Sequence, residues 1–131
     1  MATRYLALNA HLASGGSFDP TENSLRYVLC DGGYTPNTDV GGDEFLADIP
    51  AASRLAISEN LPNVTVTGRT VDADDGTLVD PGGGDEGTLM VLYQDTGTEE
   101  TSRLINHFAV SHILDGTDDN IQINVEGLYQ I

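Results

Sequence analysis

Short apolar segments separated by Gly, Pro, Asp and Asn clusters run the length of the chain, and where a period can be read it is closer to two than to 3.6. The apolar segment Leu25-Arg26-Tyr27-Val28-Leu29-Cys30 predicts a buried strand over residues 24 to 30. Residues 54 to 58 and 64 to 71 predict two more, the second setting Val64 and Val66 on one side and Thr65 and Thr67 on the other. Thr88-Leu89-Met90-Val91-Leu92-Tyr93 is almost wholly apolar, the pattern of a central strand buried on both faces. Residues 102 to 110 form the next strand, and residues 121 to 125 and 127 to 131 read as a closing pair. Thr77-Leu78-Val79 is a short strand inside an acidic, Gly-rich lobe spanning 72 to 86.

Helical signals are few. Leu6-Ala7-Leu8-Asn9-Ala10-His11-Leu12 predicts a short helix closed by Gly15-Gly16, with a first strand as the other reading. Residues 43 to 49 predict one helical turn, with acids near its N-terminus and Pro50 as its stop. The expected architecture is mainly β, an antiparallel β-sandwich or small barrel with one or two short helical segments.

At 131 residues the chain suits one domain spanning 1–131. It has no apolar run long enough for a membrane helix, and its first residues lack the pattern of a secretion signal, so a soluble chain without membrane insertion is expected. The hydrophobic share is 39%, sufficient for burial to offset the entropy of ordering despite the acidity. That acidity is pronounced: five Lys+Arg, all of them Arg, against 21 Asp+Glu give a net charge of −16. Phosphate backbones are bound mainly by cations that displace counterions, so no nucleic-acid partner is expected. Repulsion among the carboxylates is tolerable at molar salt, where the Debye length is about 3 Å, and the composition points to a halophilic setting. The single Cys30 has no internal disulfide partner and is expected to be an inert thiol facing the core.

Nothing in the pattern nominates an enzyme. Asp72-Ala73-Asp74-Asp75-Gly76 resembles the start of a calcium loop, but its Gly falls one place early and no flanking helices are evident. This segment and Asp115-Gly116-Thr117-Asp118-Asp119-Asn120 read more simply as acidic turns, and the acidic loops at 72 to 86 and 115 to 120 are expected to face solvent. His107 and His112 are five residues apart, which in a regular strand places them on opposite faces and prevents them from sharing a zinc ion. No nucleophile-elbow Gly-x-Ser-x-Gly and no phosphate-binding glycine loop occurs. No catalytic residue, metal ligand or cofactor is therefore expected. Asn63-Val64-Thr65 matches the acceptor pattern for N-glycosylation.

Several motifs occur in an order that resembles a family of small structural proteins of tailed double-stranded DNA phages. A short helical segment and Asp-bearing turn over 6 to 19 precede a strand that runs into Asp31-Gly32-Gly33-Tyr34-Thr35-Pro36. Phe45-Leu46-Ala47-Asp48-Ile49-Pro50 follows, then the strand at 64 to 71, then Tyr93-Gln94-Asp95-Thr96-Gly97. Ile121-Gln122-Ile123 and Gly127-Leu128-Tyr129 close the series, which covers nearly the whole chain. The chain departs from that pattern in its shorter Gly-rich stretch at 80 to 87 and in its greater acidity. The resemblance implies a non-enzymatic virion component on the capsid exterior, as decoration or vertex turret. Its partners would be copies of itself and other virion proteins such as the major capsid protein. A tail-associated or receptor- or carbohydrate-binding module, meeting a host surface glycan, is the alternative. Tyr34, Pro36 and Phe45, large apolar groups in loops, are the expected contact residues, unless they fold back over one end of the sandwich.

Overall fold

The computed structural model describes residues 2–123 and 127–130. In chain order it contains strand β1 (Thr3–Arg4), helix α1 (Leu6–Ala13), β2 (Ser24–Cys30), 3-10 turns at Leu46–Asp48 and Ala51–Ser53, β3 (Arg54–Ile57), β4 (Thr65–Thr67), β5 (Thr70–Asp72), β6 (Gly76–Leu78), β7 (Glu86–Asp95), β8 (Leu104–Ile113), β9 (Asp119–Ile121) and β10 (Tyr129–Gln130). Helix α1 stops where its glycines predict. Gly15 is left-handed at φ +93°, the Gly15 N–H donates to the Leu12 carbonyl at 3.2 Å, and the Gly16 N–H donates to the His11 carbonyl at 2.8 Å. These bonds satisfy carbonyls that the helix end leaves open.

Every strand pairing is antiparallel. Five strands form the main sheet in the order β1-β8-β7-β2-β3, and β10-β5-β4 and β6-β9 form two smaller ones. Strand β2 pairs with β7 along its whole length, from Ser24 opposite Asp95 to Cys30 opposite Leu89. Because successive side chains point to opposite faces, this ladder divides its apolar residues between two cores. Leu25, Tyr27, Leu29, Met90 and Leu92 enter the larger core, where Val71, Leu78, Ile121 and Leu128 from the smaller sheets and their flanks meet them. Val28, Cys30, Val91, Tyr93 and Leu104 enter the smaller core with Tyr5, Tyr34, Leu46 and Ile49. Burial on both faces explains why β2 and β7 lack a polar side. A Cβ at Gly87 would collide with the Leu29 side chain, so that position requires the close approach only glycine allows.

The β6-β9 ribbon continues from the β3 edge. Ser58 bridges Leu78, and the Ser58 Oγ accepts the Tyr27 N–H at 2.9 Å while donating to the Glu59 carbonyl at 2.8 Å. Among the described residues β9 pairs with β6 and not with β8, so the layers form a sandwich and do not close into a barrel. Two expectations change. The single strand foreseen over 64 to 71 is a hairpin of β4 and β5, turned by Gly68 at φ +61° and Arg69. An alternating pattern does not show where a chain reverses, and here a left-handed glycine decides it. Among the described residues the closing pair does not form either: β9 pairs with β6 and β10 with β5. Residues 124–126 and 131 of that expected pair lie outside the described residues.

Leu92 is fully buried in the larger core, so Leu92→Ala should cost about 2–5 kcal/mol in urea unfolding at fixed salt. A loss below about 1 kcal/mol would mean that this core is loosely packed. Burial, reinforced by Asp31 and partly opposed by Arg54, pushes the Cys30 thiol up to about 12. The native protein should therefore react slowly with a thiol reagent at pH 8 and the urea-unfolded protein promptly; equal rates would contradict the buried placement.

Candidate functional site

The two acidic loops, at 72 to 86 and 115 to 120, are exposed at most positions, but they meet around one buried carboxylate. Asp80 follows β6, and its side chain is fully buried. Its Oδ1 accepts the Gly82 N–H at 2.8 Å and the Gly116 N–H at 3.0 Å, and its Oδ2 accepts the Asp115 N–H at 3.0 Å. The Asp80 N–H in turn donates to Asp118 Oδ1 at 3.0 Å. Gly82 and Gly116 are both left-handed, at φ +76° and +85°, which lets their amides converge on one acceptor. Burial alone would raise the Asp80 pKa, but the three backbone N–H groups and the His112 ring outweigh it and hold the carboxyl well below the ordinary range.

His112, near the end of β8, directs Nε2 at this carboxylate, 3.2 Å from Asp80 Oδ2. The same nitrogen lies 3.0 Å from Oδ2 of Asp119, the first residue of β9. Only the Asp80 contact has hydrogen-bond geometry. Asp119 Oδ2 is sealed from solvent and has no hydrogen-bond partner among the described residues. The trio spans the seam where β9 fails to pair with β8. Two carboxylates and an imidazole could share a proton or hold a cation, and the outer parts of the His112 and Asp119 side chains are exposed.

The other expected residues take structural positions. The Tyr34 hydroxyl donates to Asp43 Oδ2 at 2.8 Å and lies 2.8 Å from the Tyr5 hydroxyl, so Tyr34 belongs to the smaller core and is not a surface contact. Burial raises the pKa of both tyrosines, so they stay protonated and serve as hydrogen-bonding groups. Phe45 is half-buried beneath the Arg103 guanidinium, 4.8 Å from the ring centre, and its backbone bridges Arg103. Pro36 is half-buried in the loop between these two residues. Folding back over one end of the sandwich thus describes Tyr34, and Phe45 in part. Asn63 is exposed and left-handed at φ +54°, with its Nδ2 donating to Asp74 Oδ2 at 2.5 Å. His107 packs edge-on against Tyr5 at 5.4 Å, on the smaller-core side, and burial lowers its pKa. His107 and His112 therefore do not meet.

Both histidines and both acidic loops stand out in the sequence, but their combination does not. Asp80 sits 32 positions from His112. The local signal was an Asp followed by Pro81-Gly82-Gly83-Gly84, a stretch able to wrap amides around a carboxylate. No protein-family model and no curated protein sequence matches the chain. No helix among the described residues is long and apolar enough to cross a membrane.

A carboxyl with a depressed folded-state pKa contributes stability above its unfolded pKa and loses that contribution as pH falls through the folded value. The stability gap between wild type and Asp80→Asn should be largest near neutral pH and narrow as pH drops below about 4, the ordinary Asp range. Chemical denaturation across pH at constant salt measures it. A gap that stays constant would show that Asp80 acts by shape alone.

Proposed function

We propose that this protein is a non-enzymatic structural component of a tailed virus particle, placed on the capsid exterior as decoration or vertex turret. It acts by associating with copies of itself and docking on other virion proteins such as the major capsid protein. The ordered motifs along the chain support the virion assignment.

The observation that carries the mechanical part is strand β8. Its ten residues, Leu104-Ile105-Asn106-His107-Phe108-Ala109-Val110-Ser111-His112-Ile113, include no Asp, Glu, Lys or Arg, in a chain of net charge −16. On its outer side β1 pairs with it only at Asn106 and His107. Beyond that point no further outer partner occurs among the described residues, and a groove bounded by Leu78, Met90, Phe108, Val110 and Ile121 lies alongside. Natural sheet edges are usually blunted by charge, Pro or a covering element, because open N–H and C=O groups recruit another chain. This edge has no charge or Pro of its own. With Tyr34 and Phe45 engaged internally, β8 is the better contact surface.

Carboxylates repel one another between copies, and molar salt removes that repulsion while leaving backbone pairing and apolar burial in place. Specific interfaces bury about 1,200–2,000 Å² in total, so a strand edge and its flanking loops would both contribute. Light scattering should therefore find oligomers in molar NaCl that dissociate at low salt, and Ser111→Asp, which places a charge on the exposed edge, should shift them to monomer. Mass spectrometry of purified particles should find the protein at a fixed ratio to the major capsid protein, with hundreds of copies for decoration and tens for a vertex part. A monomer at every salt concentration that is also missing from particles would overturn the reading, and a glycan- or receptor-binding module would replace it.

A further inference from the structure

We propose that Asp80, His112 and Asp119 bind one divalent cation of the zinc or manganese class at the seam between β8 and β9. This inference is independent of the virion reading. It starts from a mismatch in the site: one imidazole nitrogen faces two carboxylate oxygens, and a single Nε2 proton can be directed at only one of them. That one is Asp80 Oδ2, at 3.2 Å. Asp119 Oδ2 lies 3.0 Å from the same nitrogen without forming a hydrogen bond, sealed from solvent and without a hydrogen-bond partner among the described residues. A solvent-sealed anionic oxygen that accepts no hydrogen bond is costly, and a cation between the three groups removes that cost.

The geometry suits a small ion. The three ligand atoms, one from each residue, lie within 4.8 Å of one another. Bonds of about 2.0–2.1 Å place ligand atoms roughly 2.9–3.4 Å apart in octahedral or tetrahedral sites, and two of the three separations already fall there. The remaining adjustment falls to Asp119, whose side chain is 44% exposed and can shift. Asp80, by contrast, is held by the Gly82, Asp115 and Gly116 amides, the kind of outer support that fixes a ligating carboxylate. A nitrogen ligand beside two oxygens favours zinc, manganese or cobalt over calcium, which prefers oxygen alone. The partly exposed sides of His112 and Asp119 leave room for water to complete the coordination. A bound ion would join the end of β8, the loop after β6 and the start of β9, closing by coordination a seam that backbone pairing leaves open.

The test is calorimetric titration of the chelator-treated 131-residue chain with zinc, manganese and calcium chlorides in molar NaCl, which screens diffuse attraction to the acidic surface. Zinc should bind at one ion per chain with a saturable isotherm, raise the melting temperature, and compete well against calcium. Losing an outer partner of a metal ligand already costs roughly 10- to 100-fold in affinity, so Asp119→Asn and His112→Gln should each weaken binding by at least about tenfold. Glu100→Gln removes the same charge from an exposed, distant position and should leave affinity unchanged. Circular dichroism of each variant before titration confirms its fold; Asp119→Asn is the safer substitution because its side chain is half-exposed. The proposal is overturned if binding is not saturable at one ion per chain, if folded Asp119→Asn binds like wild type, or if Glu100→Gln weakens binding as much as it does.

Discussion

The pairing of β2 with β7 is the contact on which the other layers depend. Seven consecutive positions face one another without a break, and most side chains along the shared stretch are buried on one face or the other. Apolar burial contributes about 25 cal/mol per Å², and a ladder buried on both sides collects it twice per strand. The larger core then exists because β5, β6, β9 and β10 with their flanks lie over the Leu25, Tyr27 and Leu29 face, and the smaller one because residues 31–53 fold over Val28 and Cys30. Arg54 helps to hold this second layer. Its guanidinium donates to the Leu46 and Ile49 carbonyls at 2.9 and 2.6 Å and pairs with Glu99 at 2.6 Å.

Charge plays two separate roles in this architecture. Most of the acids are exposed and set the long-range field, which salt can screen. Asp80 is buried, paired with backbone dipoles and beyond the reach of screening, so it acts as a local organiser. Through it two segments that would otherwise repel each other, 80–82 and 115–118, become one folded unit against the end of β8. Arg26, Arg54 and Arg103 meanwhile each pair with an acid, which keeps scarce positive charge at points where chain segments meet.

The seam beside β8 is where these themes converge. An uncharged strand leaves part of its edge without a described partner, while one end of the opening is spanned by Asp80, His112 and Asp119. An interaction edge and a cation site there would be neighbours, and occupancy of one would bear on the rigidity of the other. Among the described residues β9 pairs with β6 and not with β8, the feature that makes the fold a sandwich.

The sequence alone determined the strands whose signal is local. Residues 24 to 30 are β2 as read, the apolar run at 88 to 93 lies within β7, and Gly15-Gly16 ends α1, because burial on two faces and a left-handed cap each leave a mark in adjacent residues. The histidines at 107 and 112 were separable for the same reason. Tertiary structure alone decided the hairpin at Gly68, the partners of β9 and β10, the inward turn of Tyr34 and the gathering of Asp80, His112 and Asp119. Each of these depends on residues far apart in the chain. A pattern along the sequence shows which groups need partners, but the partners themselves are chosen by packing in three dimensions.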